Sequence, residues 1–355
     1  MLRFSSAETK GNSTGAGLDH QPRAFLFVGK QLGACSVSPS AALIDQHEPR
    51  GGKNQEIRPV LKAELDGAVA LHFFMPSPAL APYISTYYLT EVNLAAGEAV
   101  EDWLHPEWAN LRFTHASDWQ TRVGDGPLEP MPKMILTGPT CRAAHFRIGG
   151  TTRIWGIGLL PLGWARLVHA PASDFVDRVA DAASEPAAGQ FVPLLGEVLA
   201  GPRDPAAEAQ RIDGFLLRLL DLRPPHEDER RIRAAHTALI DDDMNSVGEL
   251  AERLGVSTRS LERLSLRAFG FPPKLLLRRQ RFLRSLAQFM LDPSLTWLKT
   301  LDFHYVDQAH FVRDFKRFMA MSPSRYAALE HPVLRAAAQA RTLAAGAAVQ
   351  ALHRP

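Results

Sequence analysis

A chain of 355 residues, 46% apolar and 22% charged, has material for more than one core and the composition of a globular protein. Only two cysteines occur, Cys35 and Cys141, which excludes a disulfide framework or a Cys-rich zinc site and suits a reducing cytoplasm. The net charge of +2 is unevenly spread: residues 253–330 hold 14 Lys and Arg against 6 Asp and Glu, a basic module on an acidic remainder, as a nucleic-acid binder would carry.

Residues 1–64 read as a mostly disordered leader. Ser, Gly, Asn, Gln and Pro are frequent, and no apolar period extends beyond residues 24–28. A start assigned too early would give the same composition. No basic-then-apolar signal opens the chain. Its most apolar stretch, residues 154–170, is broken by Pro161, Gly163 and Arg166 and is too short for a bilayer. No membrane partner is expected.

Residues 65–222 read as a mixed α+β domain closing in helices. Strands are predicted at 69–74, 110–114, 133–137, 143–148 and 153–159, the last two separated by a Gly149-Gly150 turn. Residues 76–83 read as a Pro-rich turn leading into a short helix. Helices are predicted at 162–168, 174–183, 191–199 and 206–222, the last with Ile212, Phe215, Leu216, Leu219 and Leu220 on one face. Gly156-Ile-Gly158-Leu-Leu-Pro161 begins like a dinucleotide fingerprint, but Pro161 occupies the position that needs Gly, so a strand end is the better reading. The domain offers no His-x-His pair, no Gly-x-Ser-x-Gly elbow and no other catalytic constellation, so neither a metal nor a cofactor is expected. Trp103, Trp108 and Trp155 are candidates for lining an effector pocket, although tryptophans gathered in one domain more commonly form its core.

Residues 223–230, Arg-Pro-Pro-His-Glu-Asp-Glu-Arg, lack any period and read as a linker. An all-α region follows at 231–330, opening on a helix with Ile232, Ala235, Leu239 and Ile240. Ser246 with Glu249 forms a capping box, and Val247, Leu250, Ala251 and Leu254 give the next helix one apolar face. Gly255 supplies the turn. Ser257 caps a further helix with Leu261, Leu264 and Ala268 inside and Arg259, Glu262 and Arg263 outside. This is a helix-turn-helix pattern, which an ordinary helical hairpin would also fit. Pro272-Pro273 starts a long helix over about 274–290, with Leu275, Leu276, Phe282, Leu286 and Phe289 packing and Arg278, Arg279, Arg281 and Arg284 on its more exposed sides. Asp307 caps another helix, with Phe311, Phe315 and Phe318 as its buried stripe. The Ala-rich tail, 331–355, has no assigned role.

Asp307-Gln308-Ala309-His310-Phe311, Arg313-Asp314-Phe315-Lys316-Arg317 and Ser322-Pro323-Ser324-Arg325-Tyr326 complete a second helix-turn-helix. Over about 231–330 the chain resembles the AraC/XylS family of transcription regulators. The resemblance implies two recognition helices entering successive major grooves of double-stranded DNA, about 34 Å apart. It implies a base-facing set of Thr258, Arg259, Glu262 and Arg263 in the first reader and Gln308, Ala309, Val312 and Arg313 in the second. Arg267, Lys316 and Arg317 are then expected on phosphates. For Arg263 an ion pair with Glu262 or Glu252 is the alternative; for Gln308, a plain cap-turn position. The family further implies a cytoplasmic activator meeting RNA polymerase, with a small-molecule effector and homodimerisation through the first domain. An enzyme or DNA-repair protein fused to the same module is the competing reading, although the cysteine cluster used by methyl-transfer repair proteins is missing.

Two departures weaken the second unit. His304 stands where the family has its turn Gly, and Lys299 and Thr300 stand where an apolar residue and Ala pack. The helix before that turn is expected to be loose, held by Trp297, Leu298 and Leu301.

Overall fold

The computed structural model describes residues 61–65, 68–114, 118–292, 294–297, 299–347 and 349–354. The expected disordered leader lies outside the described residues up to 60, and its last four residues, 61–64, belong instead to a strand, Leu61–Leu65, paired with Val69–Phe74.

Eleven strands occur among the described residues: β1 Leu61–Leu65, β2 Val69–Phe74, β3 Ile84–Asn93, β4 Ala99–Leu104, β5 Asn110–Thr114, β6 Asp118–Val123, β7 Glu129–Pro130, β8 Met134–Thr137, β9 Ala144–Gly149, β10 Thr151–Leu159 and β11 Val179–Asp181. They form two antiparallel sheets, ordered β1-β2-β3-β10-β5-β8-β11 and β4-β9-β6-β7. Period-2 alternation points Phe73, Tyr88, Arg112 and Ile154 of the first sheet toward Trp119, Phe146 and Ile148 of the second. The N-terminal part is thus β-rich.

The described residues also form ten α-helices: α1 Pro161–Leu167, α2 Val192–Leu199, α3 Pro205–Asp221, α4 Glu229–Ile240, α5 Val247–Arg253, α6 Thr258–Phe269, α7 Pro273–Leu291, α8 Gln308–Met319, α9 Pro323–Ala327 and α10 Pro332–Ala345. Helix α3 covers the far face of the first sheet. There Trp155 Nε1 donates to Glu208 at 2.6 Å, and the Tyr87 hydroxyl donates to Asp213 at 2.8 Å.

The two glycines of the rejected fingerprint lie within β10, where each makes room for another group. Gly156 sits between Tyr88 on β3 and Arg112 on β5 in the paired register. A Cβ there would come within 2.0 Å of the Tyr88 ring, so glycine lets the ring lie across the strand and its hydroxyl accept from Arg112 Nε at 2.7 Å. A Cβ on Gly158 would meet Gln350 Nε2 at 2.6 Å. The chain's C-terminal segment therefore seats in the middle of the sheet, with Gln350 Nε2 donating to the Ala109 carbonyl at 3.3 Å.

Several expectations are corrected. Residues 76–83 make turns rather than a helix. The helix expected at 174–183 is a 3₁₀ turn, Ala172–Phe175, followed by β11. Asp177 breaks it at a φ of 54°, and Val179–Asp181 find ladder partners on β8. The tail holds α10, which packs on β1, β2, β4 and α7. Residues 223–230 do not hang free, because Arg166 donates to the Arg223 carbonyl at 2.8 Å. Sandwich and helices belong to one compact unit.

Candidate nucleic-acid interface

The helix starts form as their side chains dictate. Ser246 accepts from the Glu249 amide at 3.1 Å, Ser257 from Ser260 at 3.2 Å, Asp307 from His310 at 2.6 Å and Ser322 from Arg325 at 3.2 Å. Gly255 turns the chain between α5 and α6 at a φ of 62°, and Gly270 ends α6 at 83°. With the start of α6 fixed, Thr258, Arg259, Glu262 and Arg263 are all exposed, while Leu261 and Leu264 are buried. The alternative ion pair for Arg263 does not form.

The second reader is half as expected. Helix α8 exposes Gln308, Ala309 and Arg313 and half-buries Val312. Its apolar stripe closes on α7, with Phe282 stacked on Phe318 at 5.0 Å and edge-on to Phe315 at 5.4 Å. Among the described residues no helix precedes the turn: 294–297 and 299–300 make isolated turns, such as the Lys299 amide to the Thr296 carbonyl at 2.8 Å. Trp297 does the packing instead. It stacks on Phe289 at 3.9 Å, meets Phe315 edge-on at 5.0 Å and donates to the Pro323 carbonyl at 3.2 Å. His304 avoids the left-handed region; that strain sits at Ala320, whose φ is 56°.

The basic surplus divides in two. On α7 all four arginines are engaged: Arg278 with Asp314, Arg284 with Asp302, Arg281 with the His304 carbonyl at 3.0 Å and Arg279 with the Thr140 carbonyl at 2.9 Å. Arg279, expected on an exposed side, is fully buried, with its guanidinium 4.4 Å from the Trp108 ring. Burial lowers its pKa to about 10. On the readers, Arg259, Arg263, Arg313, Lys316 and Arg317 are exposed and have no ion-pair partner among the described residues. Arg267 reaches only the exposed Glu227, at 3.5 Å. Exposed cations free to meet an anion thus stand at both recognition helices, with Lys274, Lys299 and Arg325 also exposed nearby.

The readers are tied to the sandwich. The Ala143 amide donates to the Phe318 carbonyl at the end of α8, at 2.7 Å, and the Tyr326 hydroxyl of α9 meets His105 Nε2 at 2.8 Å. Burial drops the His105 pKa to about 3, so the ring is neutral.

Trp103, Trp108 and Trp155 line no common pocket. Trp103 stacks on His145 at 4.4 Å, Trp108 packs edge-on to Phe269 of α6 at 5.6 Å, and Trp155 faces α3. A cavity between the sheets is lined instead by Trp119 together with Glu107, Arg112 and Arg341. Arg112 could have been suspected from sequence, since it interrupts an otherwise uncharged strand; Arg341, in the Ala-rich tail, could not. Among the described residues no group of His, Cys, Asp or Glu is placed to hold a metal ion, and no helix is long and apolar enough to cross a membrane.

Residues 250–328 match a family described as helix-turn-helix domain, and residues 72–181 match a domain of unknown function, DUF6597. No curated protein matches the chain. Similar solved structures include ToxT from Vibrio cholerae, at 10% identity over 68% of this chain and 97% of that one with a TM-score of 0.39. A ToxT structure bound to (E)-4-(8-methylnaphthalen-1-yl)but-3-enoic acid matches at 12% identity over 67% and 96%, with a TM-score of 0.38. The AraC-like transcriptional activator CuxR matches at 13% identity over 64% and 82%, with a TM-score of 0.26. With its caps, turns and buried stripes in place, the stretch over residues 250–328 of this chain is a helix-turn-helix domain.

Proposed function

We propose that this chain is a sequence-specific transcription regulator whose helices α6 and α8 enter successive major grooves on one face of the duplex. Helix α7 acts as the spacer, and the 65–222 part senses a small molecule and dimerises. The observation that carries this is the division of charge: the connector's arginines are consumed internally, while Arg259 and Arg263 on α6 and Arg313 and Arg317 on α8 are left unpaired. Unpaired cations beside a helix start suit phosphate contact and guanine reading alike. In this reading Thr258, Arg259, Glu262 and Arg263 face bases in one groove. Gln308, Ala309, Val312 and Arg313 face bases in the next. Arg267, Lys316 and Arg317 hold phosphates. RNA polymerase is the partner through which bound protein acts. Its place of action is the bacterial cytoplasm, on the nucleoid.

The first reader carries more of the specificity, because the second has His304, Lys299 and Thr300 at its turn and, among the described residues, no helix ahead of it. Selection of bound sequences from a random duplex pool with the full chain tests this. Two half-sites about one helical turn apart are expected. Binding at moderate salt with no preference over bulk DNA would overturn the proposal.

A further inference from the structure

The cavity between the two sheets measures about 90 Å³ and is roofed by α10, a segment that neither matched family covers. Its walls are largely apolar, built from Phe73, Trp119, Phe146 and Ile154 among others. Into this surface project three charged side chains. Arg112 and Glu107 form a buried ion pair, and Arg112 also donates to the Tyr88 hydroxyl at 2.7 Å. The Tyr88 proton is directed to Asn110 Oδ1 at 3.3 Å. That set is closed. Arg341, from α10, is the third charge. Its guanidinium carbon lies 5.5 Å from the Phe73 ring centre and 6.0 Å from that of Tyr88. No carboxylate or carbonyl accepts from it among the described residues, and its Nε is buried without a partner.

Two cations and one carboxylate leave the cavity one positive charge in excess. Arg341 is half-buried with its Nε shut away from water, and the aromatic faces beneath it compensate only partly for the missing counter-charge. A single carboxylate would supply the missing charge and the missing acceptors together, commonly as a two-pronged pair with guanidinium. A phosphate would bring more charge than the cavity lacks. The remaining wall is apolar, so the rest of the ligand is too. At about 30 Å³ per water the space equals roughly three waters, which fits a short-chain acid. A longer acid requires α10 to give way.

We propose that this cavity binds a small organic monocarboxylate, its carboxylate on Arg341 and its apolar body between the sheets, fastening α10 to the sandwich. The proposal rests on reading the sandwich as an effector domain. Its regulatory consequence follows from where α10 lies. The helix also packs on α7, and Gln280 of α7 donates to the Ala351 carbonyl at 2.7 Å just beyond it. An acid on Arg341 therefore steadies the connector that spaces the two readers.

The test uses the full chain and sodium butyrate, benzoate and octanoate, with butyramide and benzamide as uncharged counterparts at matched ionic strength. Thermal unfolding and calorimetry are the readouts. The expected result is saturable stabilisation by butyrate that is absent with butyramide, weakened about tenfold or more in Arg341→Gln. It should also be lost in Ala338→Leu, which fills the cavity but keeps the charge. If acid and amide bind alike and Arg341→Gln changes neither, the effector reading stands and the carboxylate proposal falls. If nothing binds and Arg341→Met raises the unfolding temperature, the cavity is structural and both fall.

Discussion

His105 Nε2 lies 2.8 Å from the Tyr326 hydroxyl, and through this contact the wall of the sandwich cavity touches the core of the second reader. The Tyr326 ring packs on Phe315 of α8 at 5.6 Å and stacks on His331 at 4.0 Å. Tyr326→Phe removes the hydroxyl and keeps the rings. It should cost about 1–3 kcal/mol, since His105 is left buried without that partner. Hydrogen exchange in α8 should quicken while α6 stays protected. Equal exchange in both helices would mean that the contact does not couple sandwich to reader.

Arg263→Ala should lose about 1–3 kcal/mol at a selected site and flatten the preference at one base position. Arg267→Ala should instead weaken all sequences alike and lower the salt slope by about one. Binding titrations at three salt concentrations separate the two behaviours. The same loss on every sequence for Arg263→Ala would move that residue to the phosphate set.

Arg279 is buried against Trp108 with its two terminal nitrogens unpaired, so its charge adds little to stability. Arg279→Met should be tolerated within about 1.5 kcal/mol, because an apolar side chain of similar length fills the space without a charge to desolvate. Arg279→Ala leaves a hole and should cost about 2–5 kcal/mol. Denaturant unfolding of both variants checks the order. DNA affinity of the folded fraction should be unchanged in each.

Asp102 holds the start of α10, accepting from the Val333 and Leu334 amides at 3.1 and 2.9 Å and contacting His331 Nδ1 at 2.9 Å. Asp102→Ala strips three partners from buried groups and should destabilise by roughly 2–4 kcal/mol. Faster amide exchange along 332–345 is the signature.

Buried His105 and His236 have pKa values lowered from 6.5 to about 3, and His353 to about 4, in each case chiefly by burial. Unfolded, these rings take up protons below pH 6.5; folded, they do not. Stability is therefore complete above pH 6.5 and falls as pH drops toward 4, by about 1 kcal/mol per pH unit for each ring. The unfolding temperature should drop between pH 7 and pH 5. His236→Phe, which keeps the edge-on contact with Trp108, should shallow that slope.

What was legible in the sequence was local. The caps at Ser246, Ser257 and Asp307 depend on residues three positions away, and the helices after them begin where those residues stand. The fate of the α7 arginines was not legible, because Thr140, Asp302 and Asp314 reach them only through tertiary packing. Strand β3 went unpredicted despite its β-branched and aromatic residues, since its near-continuous burial lacks the alternation of a half-exposed strand. The tail is the plainest case. An Ala-rich run carries little periodic signal, and α10 takes its meaning from strands more than two hundred residues earlier.

The Gly158 notch that receives Gln350 bears on how the molecule is made. Strands translated early cannot be fully sealed until residues near 350 have left the ribosome and threaded back to them. Nascent chains halted before that point would leave the Asn110 side-chain amide and the Ala109 carbonyl without that partner, and chaperone demand should concentrate there.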